Sequence, residues 1–162
     1  MFSKLIRNIY RIVKIMEQNM VFVLLAIMVS NVAIGVFFRY VLNNSLPWTE
    51  EMARYLMIWF AFIGMAIAFR DEEHVNVSFV LNLFPIPIRS FIKIISYLLV
   101  LFFLVTLFFQ SLNVLRVVKI QISPALGIPM IYPYLAVTFG SILMAIEVIS
   151  LLCANVSAIF KE

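Results

Sequence analysis

Charge is scarce in this chain. Asp, Glu, Lys and Arg make up 12% of 162 residues and apolar residues 65%, against roughly 25% and 45–50% in an ordinary soluble domain. A water-soluble fold is excluded on that ground. Histidine and cysteine occur once each. A single cysteine rules out an intrachain disulfide and any multi-cysteine metal site, and Cys153, inside an apolar run, is expected to be a small packing residue. A catalytic centre needs nucleophile, base and metal ligands to converge, and one histidine in a charged turn, His74, does not supply them. Without a histidine partner within the apolar runs, His74 also argues against a haem held between helices. No enzyme activity, metal or cofactor is expected in this chain. The formal charge of +4 does not point to nucleic acid, because the basic residues flank apolar runs instead of clustering with stacking aromatics.

What the chain has is apolar length. About 20 apolar residues cross a hydrocarbon core roughly 30 Å thick, so 162 residues allow about four crossings and little else. The expected fold is all-α and integral to the membrane, with four transmembrane helices preceded by an amphipathic interfacial helix. Residues 1–18 form that first helix: Lys4, Arg7, Arg11 and Lys14 fall on one stripe and Leu5, Ile9, Ile12 and Met16 on the other. Residues 19–162 form the transmembrane domain, with spans at about 20–42, 49–70, 89–115 and 128–155. The first apolar run exceeds a signal-peptide core and no Ala-x-Ala-like site follows it, so no cleavage is expected. The second span starts near Thr49. Thr49 can cap the helix, Glu50 and Glu51 complement its positive end, and Glu50 precedes Arg54 by one turn, a favourable pair. Residues 75–84 and Pro85-Ile86-Pro87 read as an interfacial connector, and Pro129 and Pro133 announce a bent start to the last span.

Basic residues set the orientation. With the amino terminus in the cytoplasm, Lys4, Arg7, Arg11, Lys14, Arg70, Arg89, Lys93 and Lys161 fall inside and only Arg39, Arg54, Arg116 and Lys119 outside. Both termini are then cytoplasmic. Within the spans Glu147 is the charge that needs a reason, since an intramembrane carboxylate persists through a partner or a task; Arg89 or Lys93 could reach it as a structural ion pair. Asn31 suits an interhelical hydrogen bond. Ala61, Gly64 and Ala68 in the second span, and Ala136, Gly140, Ser141 and Ala145 in the fourth, form packing faces that could meet within this chain or meet another. Trp48, Tyr132 and Tyr134 fit an interfacial belt in contact with membrane lipids.

These motifs have a familiar order: Phe38-Arg39-Tyr40 ending the first span, the run Trp48-Thr49-Glu50-Glu51-Met52-Ala53-Arg54-Tyr55, Ile58-Trp59, Phe62-Ile63-Gly64, Arg70 before His74-Val75-Asn76-Val77, and Leu126-Gly127-Ile128-Pro129. Over most of its length the chain resembles the small membrane subunit of tripartite ATP-independent periplasmic (TRAP) transporters. The resemblance implies a large membrane subunit that carries the substrate and sodium sites, a periplasmic binding protein that delivers an organic anion such as sialic acid or a C4-dicarboxylate, and a scaffold role in the bacterial inner membrane for the small chain. It implies no substrate-binding residue here. Arg39, Trp48, Glu50, Glu51, Arg54, Arg70 and His74 are motif positions of structural or interface value, and Glu147 joins them as a structural candidate. Two other classes compete: a self-sufficient homodimeric exporter, for which the predicted first span lacks the expected carboxylate, and a membrane assembly protein without transport.

Overall fold

A computed structural model describes residues 2–70 and 85–159. Four helices account for nearly all of them: α1 (Phe2–Tyr40), α2 (Pro47–Arg70), α3 (Ile86–Val118) and α4 (Ile131–Ile159). The stretches Val13–Tyr40, Pro47–Arg70, Ile88–Val118 and Ile131–Ser157 are each long and apolar enough to cross a membrane. The chain is a multi-pass membrane protein, as its composition requires.

Helix α1 departs from the sequence expectation. No boundary separates residues 1–18 from the first span; one helix runs through both. The reason is local, because residues 2–34 contain neither glycine nor proline to end it. Glu17, inside the stretch assigned to a surface helix, is buried, so that turn of α1 packs on its neighbours. The helix closes at residues 41–46, where Asn43 takes a left-handed conformation (φ 49°), one that Asn tolerates better than most residues. The Asn44 N–H then reaches the Phe38 carbonyl at 3.0 Å.

Helix α2 starts two residues before Thr49, at Pro47, whose missing N–H and fixed φ suit a first helical position. Thr49 therefore does not cap by accepting a bond: its hydroxyl donates to the Leu46 carbonyl at 2.7 Å. Pro85, extended at φ −62° and ψ 152°, precedes α3, and Pro87 sits in its first turn. The bond from Arg89 N–H to the Pro85 carbonyl (3.1 Å) closes that turn. Helix α4 starts at Ile131, later than expected, because residues 121–130 fold back on themselves. Ile122 and Pro129 form an antiparallel bridge, and Ser123 N–H and Met130 N–H bond to the carbonyls of Ile128 and Gln121 at 2.9 and 3.0 Å. Gly127 turns this loop at φ +68°, which disfavours any side chain there.

Packing links the helices in the spatial order α1, α2, α4, α3. A core of Ala66, Leu104, Met144 and Val148 joins the last three. Small residues set the closest approaches: a Cβ on Gly140 of α4 would fall 2.5 Å from Phe62 Cβ of α2, and one on Gly35 of α1 would fall 2.7 Å from Thr49 Oγ1. Ala136, Gly140 and Ser141 are buried, and at Gly140 the small-residue face of α4 meets α2 within this chain. The face of α2 behaves differently. Nothing lies within 4 Å of a Cβ on Gly64, and Ala61 is exposed. A row of helices leaves much apolar surface outside, including Phe22 and Phe102, 73% and 75% exposed, as suits contact with lipid. Cys153 is exposed as well, so it is not the packing residue expected from its apolar surroundings.

Candidate functional site

The polar side chains of the bundle gather at its two ends. At one end Arg70, the last residue of α2, donates from Nη1 to Glu17 Oε2 of α1, and the same nitrogen lies 3.7 Å from Glu147 Oε1 of α4. All three side chains are at most 6% exposed. Ions so deep in an apolar bundle persist only when paired, and this group ties three helices together. The structure brings Arg70 to Glu147, a cation that the sequence had not suggested beside Arg89 and Lys93. Glu17 was missed altogether, although a lone carboxylate at the start of an apolar run was a readable signal. It also corrects the view that the first span lacks a carboxylate, since Val13–Tyr40 contains it.

Towards the other end Asn31 donates from Nδ2 to the Thr49 carbonyl at 2.7 Å, an interhelical bond of the kind the sequence suggested. Its Oδ1 is buried without a hydrogen-bond partner. The two adjacent glutamates do different work. Glu50, exposed, pairs across elements with Arg39 at the end of α1, and the sequence-based pairing with Arg54 gives way to that contact. Glu51, one residue on, faces inward and is 3% exposed. Its Oε2 accepts the backbone N–H groups of Ala125 (2.9 Å) and Leu126 (3.0 Å), and its Oε1 accepts the Tyr55 hydroxyl. That hydroxyl lies 3.0 Å from Met130 Sδ. One carboxylate thus fastens the loop between α3 and α4 to the start of α2. Sequence reading placed Glu51 at the helix start but could not find its partners, which lie 74 and 75 residues away.

Trp48 is half-buried and Arg54 exposed, both at this end. His74 lies outside the described residues. Among the described residues no group of three His, Cys, Asp or Glu side chains could hold a metal ion.

Residues 28–157 match the family of tripartite ATP-independent periplasmic transporters, DctQ component. The chain belongs to that family. A Haemophilus influenzae protein named for the small permease of a TRAP transporter is 29% identical over 138 residues, 85% of this chain and 86% of that one. The sialic acid TRAP transporter small permease protein SiaQ of Vibrio cholerae is 33% identical over 79 residues, 49% of this chain and 42% of its own. The isethionate TRAP transporter permease protein DctMQ of Oleidesulfovibrio alaskensis is 30% identical over 111 residues, 67% of this chain but only 18% of that much longer one. The family consists of transporter permease components, so this TRAP small subunit is not an enzyme.

Proposed function

We propose that this TRAP small permease subunit is a scaffold for a sodium-coupled importer of organic acids, such as sialic acid or C4-dicarboxylates. Its partners in this reading are a large membrane subunit, which holds the substrate and sodium sites, and a periplasmic binding protein. The complex sits in the bacterial inner membrane with both termini of this chain in the cytoplasm, the orientation favoured by the distribution of Lys and Arg.

The observation that carries the proposal is how the intramembrane polar groups are used. Glu17, Arg70 and Glu147 hold one another, Asn31 joins α1 to α2, and Glu51 holds a loop. A coupled carrier needs groups left free to exchange their ligands for substrate and ion, and the charged groups among these are committed to the fold. Two relatives bear the names of sialic acid and isethionate transporters, both organic acids. In the isethionate protein the region like this chain is a minor part of a longer polypeptide, which supports a division of labour between a small and a large part. Affinity purification of this chain from its native membrane tests the proposal. A large many-span membrane protein should co-purify in equal amount; recovery as a homodimer without such a partner would contradict it.

A further inference from the structure

A groove of about 450 Å³ lies between α1 and α2 at the end of the bundle that carries Trp48. Its floor exists because Gly35 lets α1 close on Thr49 of α2. Val32, Val36 and Ala53 line it on the apolar side, Arg39 and Glu50 line its mouth, and Arg54, one turn deeper on α2 than Glu50, lines the wall below them with its side chain tilted back towards the start of the helix. Along α1 the lining is ordered by depth. At 1.5 Å per residue, Val32 and Val36 sit about 10 and 4–5 Å below Arg39 along α1, so the walls lie at hydrocarbon depth when the mouth is among headgroups. Glu50 is already paired with Arg39, and two guanidiniums against one carboxylate leave the groove with a net charge of +1.

We infer that this groove is a binding site for a glycerophospholipid with an anionic headgroup. The phosphate takes the Arg54 guanidinium, whose planar donors suit phosphate oxygens, and an acyl chain lies along Val36 and Val32. Inorganic phosphate would use the mouth and leave the apolar wall uncovered. A zwitterionic headgroup would bring its ammonium group into a groove that is already positive. The exposed Arg39–Glu50 pair is worth little by itself, so Arg39 can turn towards the phosphate at small cost. The site needs only that the chain spans the membrane; it does not depend on which solute the transporter carries.

Photolabelling tests the assignment. The assembled transporter is placed in phosphatidylcholine nanodiscs doped with photoactivatable phosphatidylglycerol or, in parallel, photoactivatable phosphatidylcholine, and labelled peptides are mapped. Phosphatidylglycerol should label residues 32–54 about fivefold more than phosphatidylcholine, the discrimination expected of one basic residue at an anionic surface. Arg54→Gln should remove that preference, and Arg54→Lys should retain most of it. Val36→Phe, which fills the wall and leaves the charges in place, should reduce labelling by either lipid. Millimolar inorganic phosphate should not compete. Equal labelling by the two lipids, or a preference unchanged in Arg54→Gln, would overturn the assignment. Competition by phosphate would reassign the mouth as a free-anion site, and cross-links from the groove to another protein chain would show a polypeptide there instead of lipid. Failure to isolate a complex would count against the proposed partnership alone, because the same labelling can be run on this chain in the membranes that contain it.

Discussion

Glu50 and Glu51 are neighbours of one chemical type with opposite consequences for the molecule. Removing the exposed Glu50 takes away a solvated pair with Arg39, and surface pairs contribute little. Removing Glu51 takes the acceptor from the Ala125 N–H and one of two acceptors from the Leu126 N–H, which keeps Ser123 Oγ at 3.1 Å, and a donor left without its partner is the costly direction. Glu51→Ala should therefore raise protease cleavage in the loop between α3 and α4 by on the order of tenfold, as expected of a locally destabilised segment, while Glu50→Ala should change it less than about twofold. Limited proteolysis with mass mapping reads both. The same logic governs the other end of the bundle. Arg70→Gln leaves Glu17 and Glu147 facing each other without their shared cation and should cost about 3–5 kcal/mol, the penalty for breaking a buried pair, seen as loss of folded yield in detergent. Glu147→Gln should cost less, because the Arg70 contact to Glu17 survives it. Sequence periodicity located each of these charges except Glu17, whose helix had been taken for a surface element. It could not assign partners, since Arg70 and Glu17 are 53 residues apart in the chain and only the packing of α1 on α2 brings them together.

Helices are where the sequence is most legible, and their ends are where it is least. A long helix covers each of the four apolar runs, because about 20 apolar residues in succession admit few other structures in a membrane. The starts moved for reasons that spacing does not encode: Pro47 opens α2 ahead of Thr49, and the loop held by Glu51 delays α4 to Ile131. Small residues show a similar split. Spacing marked packing faces on both α2 and α4, yet it could not say that Gly140 is filled by Phe62 while Gly64 stands open. Substitution separates them. Gly140→Ala forces a Cβ against Phe62 and should destabilise the protein by about 1–3 kcal/mol, whereas Gly64→Ala should be neutral or stabilise by up to about 1 kcal/mol through helix propensity. Thermal unfolding of the two purified variants gives the comparison. A Gly140→Ala protein as stable as the parent would contradict the close α2–α4 contact.

At the scale of the whole molecule, four helices in a row make a broad element whose buried polar groups are committed to its own architecture. In the proposed reading such an element braces the large subunit against the bilayer and leaves solute binding to that partner. A chain with 12% charged residues has few groups to assign to any other task. The motif order from Phe38 to Pro129 pointed to the family in which that scarcity makes sense. Transport by this chain alone is the direct test. Purified and reconstituted in proteoliposomes under an inward sodium gradient, it should take up neither labelled sialic acid nor a labelled C4-dicarboxylate above empty-vesicle background, whereas co-reconstitution with its large subunit and binding protein should give uptake of the cognate acid. Sodium-driven uptake by the small subunit without partners would contradict the account.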